Sequence, residues 1–151
     1  MRRLIFRLFV FVFTFMYYSC FAEDIGKEYE IIKNKIDAKS ITSSQNFFFA
    51  SSHSKATAIE DADIETNKII ASSKFINYLS NLVDWPVTID LELKIALWNF
   101  YTKKKKFTFK KSQIVDNGKL GDYYYVIVGM PKSELLKFKI TYSQIINSIK
   151  K

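Results

Sequence analysis

KATAIEDADIETNKIIASSKFINYLSNLV, Lys55 to Val83, decides how the rest of the chain is read. It holds neither Gly nor Pro. Ile59, Ala62, Thr66, Ile69, Ser73, Ile76, Leu79 and Val83 recur in steps of three and four, the spacing of one helix face. Ser51, Ser52 and Ser54 stand before it and are expected to accept the orphan N–H groups of its first turn. Glu60, Asp61, Asp63 and Glu65 crowd the N-terminal half, the favourable side of the helix dipole. Trp85-Pro86 ends the helix, which becomes the slab on which a sheet packs.

Beyond Pro86 the period changes. Val87, Ile89, Leu91, Leu93, Ile95 and Leu97 alternate with Thr88, Asp90, Glu92, Lys94 and Ala96. On a helix the odd positions would fall on two opposite faces. On a strand they share one, so a half-buried antiparallel strand with its odd positions inward is expected, running on towards Tyr101. Lys103 to Lys106 then makes a turn, and Phe107 to Val115 resumes the alternation. Asn117 to Asp122 is turn chemistry and Tyr123 to Val128 a further strand, giving a three-stranded meander over 87–128. Pro131, Ser133 and Glu134 open a last helix with Leu135, Phe138, Tyr142, Ile145 and Ile149 on one stripe. Docking on the domain is the expected use of that stripe, and pairing with a second copy the alternative.

Towards the N-terminus, Asn46 to Ala50 reads as a buried strand feeding the main helix, and Lys39 to Gln45 as a loop. Glu23 to Ile36 reads as a short helix with Ile25, Tyr29, Ile32 and Ile36 on one stripe. The fold class is therefore α+β, a long helix and a C-terminal helix packed on a small, mostly antiparallel sheet. At 151 residues one domain is expected, over 23–151, after a secretory signal over 1–22. Arg2, Arg3 and Arg7 supply the charged start of that signal, Leu8 to Tyr18 its apolar run, and Cys20-Phe21-Ala22 its small-residue cleavage site. Cleavage after Ala22, leaving Glu23 first, is the expected processing. Ser19-Cys20 keeps lipidation of Cys20 as the alternative. Either route exports the protein, to the periplasm or to an outer-membrane-associated site.

No cysteine follows position 20, so residues 23–151 carry neither disulfides nor thiol chemistry and must hold together by burying a core. Charge is divided unevenly. Residues 23–102 carry 8 Lys against 12 acids, whereas 103–151 carry 12 Lys against 3 acids. Lys103, Lys104, Lys105, Lys106, Lys110 and Lys111 are the candidate contact for an anionic surface, each Lys near such a membrane being worth about 1 kcal/mol. A solvated, lysine-protected turn is the plain alternative. Tyr101 to Lys111 interleaves cations with aromatics in a way that suits single-stranded nucleic acid, but export argues against that ligand.

Catalytic sets are missing. His53, the one histidine, has serines beside it but no Gly-x-Ser-x-Gly elbow and nothing that fixes an oxyanion hole. Asp61-x-Asp63-x-Glu65-x-Asn67 begins like a calcium loop, yet lacks the turn glycine and has Ser72 at position twelve. A polar helix face explains it better. The four glycines make no phosphate-cradling loop, and neither a metal nor a cofactor is expected.

One resemblance stands on element order. The strand at 46–50, the small-residue helix with Ala58, Ala62 and Ala71, and the strand Tyr123-Tyr124-Tyr125-Val126-Ile127-Val128 followed by Pro131-Lys132 resemble a family of small envelope lipoproteins. That family also includes the N-terminal domain of the flagellar T-ring protein FlgT, and the likeness covers about 44–132. It implies an exported structural or assembly component with no catalytic residues. The expected function is accordingly that of a non-enzymatic structural or assembly protein of the bacterial envelope. The alternative is a module that binds an anionic envelope component or membrane surface through 103–111. Partners would be other envelope proteins or an anionic polymer or membrane. A flat basic face would favour the binding module, an exposed apolar stripe the assembly protein, and a deep pocket converging on His53 an enzyme.

Overall fold

A computed structural model describes residues 24–36 and 40–150. The signal segment, Cys20 and the cleavage site lie outside the described residues. The architecture is α+β, with helices on both faces of a four-stranded antiparallel sheet. Helix α1 (24–32) runs into a 3-10 turn, Lys33–Lys35. Strands β1 (Ile41–Ser43) and β2 (Phe47–Lys55) lead to α2 (Glu60–Asn81) and α3 (Leu91–Lys105). The hairpin β3 (Gln113–Leu120) and β4 (Tyr123–Pro131) follows, then α4 (Lys132–Leu136) and α5 (Tyr142–Ile149). The strand order is β1-β2-β4-β3, so the hairpin docks through β4 on β2.

Strand alternation divides the core in two. Phe48, Ala50, Tyr124, Val126, Val128 and Met130 face α2, meeting Ala71, Phe75 and Leu79, with Leu135 and Ile145 closing the cluster. Phe47, Phe49 and Ile127 point the other way, onto Ile25, Tyr29 and Ile32 of α1. The stripe expected on α1 is the one buried. Gly129 permits that close approach, since a Cβ there would clash with Ile25 Cδ1. Glu28 ties α1 to the β1–β2 turn, accepting from the Asn46 N–H (2.9 Å), its side-chain amide (2.7 Å) and the Ser44 hydroxyl. Burial raises the Glu28 pKa, but these three bonds outweigh it and hold the carboxyl below its usual range.

The long helix is present but shorter and turned. Its serines belong to β2, which runs to Lys55, and Ile59 is the N-cap without a side-chain bond. The buried face is Asp63, Asn67, Ala71, Phe75 and Leu79, in steps of four, while Ile59 and Ile69 are exposed. Polar side chains explain the rotation. Asn67 is fully buried, accepting from the Ser52 hydroxyl (2.8 Å) and donating to Ser54 Oγ (2.8 Å) and Asp63 O (2.9 Å). Helix and strand are thus joined by a satisfied polar network, which an apolar-stripe search cannot see.

Val87–Leu97 is not a strand. Asp90 caps α3, its carboxylate accepting from the Leu93 N–H (2.7 Å), and Leu91–Lys105 is helical. Leu, Glu, Lys and Ala are good helix formers, and that preference overrides the alternation. The odd positions fall on two helix faces, the consequence that had argued for a strand. Lys103–Lys105 is the last turn of α3 rather than a loop between strands, with Lys106 as its left-handed C-cap (φ 48°). Phe107 to Phe109 forms no strand, so the meander reduces to the β3–β4 hairpin. The Asn117–Asp122 turn shrinks to Gly121-Asp122, with Gly121 at φ 60°. The Lys39–Gln45 loop contains β1. The last helix is broken into α4 and α5, with α5 started by a Thr141/Gln144 capping box. Its stripe docks on the core as expected, Leu135 and Ile145 being buried.

Candidate functional site

The inner side of α3 is bound by aromatics. Trp98 and Tyr101 are buried 5.8 Å apart, each beside Phe107. Phe107 and Phe109 in turn pack on Phe138 at 5.6 and 5.4 Å. The connection into α3 is also pinned, with Asp84 Oδ1 accepting from the Tyr142 N–H (2.6 Å) and Trp85 packed on Tyr142. At 100° per residue Leu93 and Phe100 share a stripe turned away from Trp98 and Tyr101, whereas Leu91 and Ile95 fall within about 60° of Trp98. All four are exposed, at 69, 47, 50 and 50 %, and Val87 before them is fully so. An exposed apolar side chain is ordinary singly; a run along one helix is not.

The candidate lysines separate by place. Lys103, Lys104, Lys105 and Lys106 cluster at the C-terminal end of α3, the negative end of its dipole. Lys104 Nζ donates to Ser148 O (2.7 Å), which brings the end of α5, with exposed Lys150, to the same corner. Lys103, Lys105 and Lys106 are exposed and form no ion pair among the described residues. Lys110 lies in the following loop, exposed. Lys111 is taken up by Glu134 (2.8 Å), which Lys137 also contacts (2.8 Å), and the two cations hold the Glu134 carboxyl below its usual range. The basic run is therefore two features, a helix end and a paired lysine.

His53 is exposed on β2, edge-on to Tyr123 at 5.9 Å. Alternation turns it away from Ser52 and Ser54, which face Asn67. The acidic run is likewise dispersed: Asp63 is buried, accepting from the Thr57 N–H (2.8 Å), while Asp61 and Glu65 are exposed. The plain polar-face reading thus fails at Asp63 and Asn67, which point inward. Among the described residues no group of three or more His, Cys, Asp or Glu could hold a metal ion.

A polar cavity of about 330 Å³ lies where α2 starts, lined by Thr57, Glu60, Asp63, Asn117, Lys119 and Tyr124. The Tyr124 hydroxyl reaches two acceptors, Glu60 Oε1 (2.9 Å) and Asn117 Oδ1 (2.8 Å), and its single proton is donated to one of them at a time. Burial, then Glu60, raises the Tyr124 pKa. These groups satisfy one another. An apolar groove of about 400 Å³ runs between α2 and the 107–112 loop, past Ile69, Ile76, Phe107 and Phe109.

Sequence reasoning missed the outward face of α3. Its signal was present in the alternation itself, once Asp90 is read as a cap.

No family model, curated protein or solved structure matches this chain. No helix among the described residues is long and apolar enough to cross a membrane.

Proposed function

We propose that this is a non-enzymatic structural or assembly protein of the bacterial envelope, exported by its first 22 residues. In this reading it acts by docking on another envelope component through the outward face of α3. The observation that carries it is the exposure of Leu93 and Phe100, seven residues apart on the stripe of α3 turned away from buried Trp98 and Tyr101. Keeping such a face in water forgoes burial worth about 1.5–3 kcal/mol per large side chain, so an occupant is expected. The reading matches the envelope-lipoprotein resemblance in class, though no residue is carried over from it.

Leu93→Gln with Phe100→Gln tests the docking. Both positions are outside the core, so thermal melts should match the wild type while co-sedimentation with native envelope fragments falls about tenfold. Undiminished co-sedimentation by the double variant would remove α3 as the docking face.

A further inference from the structure

Two features of α3 meet at one corner: the apolar outward face and a cluster of lysines. Phe100 precedes Lys103 and Lys104 by three and four residues, so they are neighbours on the helix surface. Lys105, Lys106 and, across the Lys104–Ser148 contact, Lys150 complete the corner. The single carboxylate of α3, Glu92, lies at the opposite end, in the first turn. Resting on the docking reading, we infer that the component α3 meets is an anionic lipid surface. α3 rests against the headgroups, with Leu93 and Phe100 reaching towards the acyl boundary and the lysines over phosphates.

Charge and shape select this occupant. The exposed residues sit on one convex helix rather than in a groove, which a fluid lipid layer accommodates without a matching pocket. Lys103, Lys105 and Lys106 have no carboxylate partner among the described residues, and long, unpaired ammonium groups suit mobile headgroups. A helix of 15 residues, about 22 Å, is too short to span a bilayer but long enough to lie on one. The buried Trp98 and Tyr101 keep the helix from rolling, so Leu93 and Phe100 stay outward.

The test is co-sedimentation of the purified protein with phosphatidylcholine vesicles, with and without phosphatidylglycerol, across a salt series. Binding to the anionic vesicles should exceed that to neutral ones by about tenfold or more, and should fade near 1 M salt, where the Debye length is ~3 Å. Replacing Lys103, Lys104, Lys105 and Lys106 with Gln should cost about tenfold without lowering the melting temperature. Leu93→Gln with Phe100→Gln should do the same by removing the inserted side chains; if that pair melts early, Phe100→Gln alone carries this arm. Equal binding to neutral vesicles, or wild-type binding by either variant, overturns the inference. So does a solution dimer dispersed by the apolar variant, since a second copy would then cover the face. If envelope fragments are bound through α3 while anionic vesicles are ignored, the lipid inference fails and the docking reading stands. If the variants bind envelope fragments normally, both fail.

Discussion

Asn67 is the side chain that most constrains how α2 sits on the sheet. It has no exposure and uses both ends of its amide, on Ser52, Ser54 and the Asp63 carbonyl. Asn67→Ala strands the buried Ser52 hydroxyl and opens a small void, at an expected cost of about 2–4 kcal/mol in denaturant melts. Pairing Asn67→Leu with Ser52→Ala removes both polar partners and should recover part of that loss. Tyr29 makes a second residue-scale case. Its hydroxyl donates to Asp116 across the α1–sheet interface. Burial, then Asp116, pushes the Tyr29 pKa well above the ordinary 10.0, and those of Tyr101, Tyr124 and Tyr125 also rise. The folded state therefore holds these protons more tightly than the unfolded chain. That stability is complete below about pH 10 and is lost as pH rises through and beyond it. Melts from pH 7 to 12 should show the decline, and Tyr29→Phe should make it shallower while costing about 1–3 kcal/mol at pH 7. An equally steep alkaline decline in the Phe variant would dissociate it from Tyr29.

At the scale of elements, α3 separates two readings of one stretch. As a strand with odd positions inward, Leu93→Asp would bury a bare carboxylate and cripple folding. In α3, Leu93 is half-exposed in the first turn, where an acid is favoured by the helix dipole. Leu93→Asp is expected to shift stability by less than about 1 kcal/mol, whereas Trp98→Ala, at a buried site, should cost about 3–5 kcal/mol. Severe destabilisation by Leu93→Asp in a chemical melt would restore the strand. The comparison also shows what was legible in the sequence. The α1 stripe and the C-terminal stripe are read correctly because each turns its apolar residues to one side of the core. The strands at 46–50 and 123–128 are read correctly because the sheet is covered on both faces, so that a continuous apolar run is buried. The α2 face was misplaced because Asp63 and Asn67 occupy its buried side, and hydrophobic periodicity gives no weight to a satisfied amide. α3 was misread because its outward side is apolar too, which defeats a method that equates apolar with buried. The Lys104–Ser148 contact, joining residues 44 apart, depends on tertiary packing and has no local signal.

The whole molecule is unevenly cohesive. β4 lies between β2 and β3 and under α2, with Val126 and Val128 fully buried. α3 stands outside this nucleus, with α5 as its main neighbour and the Trp98–Tyr101–Phe107–Phe138 aromatics as its anchor. Trp98 adds little polar adhesion, since its buried Nε1–H lacks a partner among the described residues. An element held mostly through one other helix and one ring cluster opens at less cost than a strand paired on both edges. Native-state hydrogen exchange should therefore give the β4 amides near Val126 the global unfolding free energy. The α3 amides around Trp98 should exchange through a smaller opening, lower by about 2 kcal/mol or more, together with those of α5 around Ile145. Phe138→Ala should lower protection in α3 and α5 more than in β4, because that ring seats Phe107 and Phe109, which adjoin the α3 anchor. Uniform protection across β4, α3 and α5 would mean that the molecule opens in one step. It would then be unable to present α3 as a separately adjustable face.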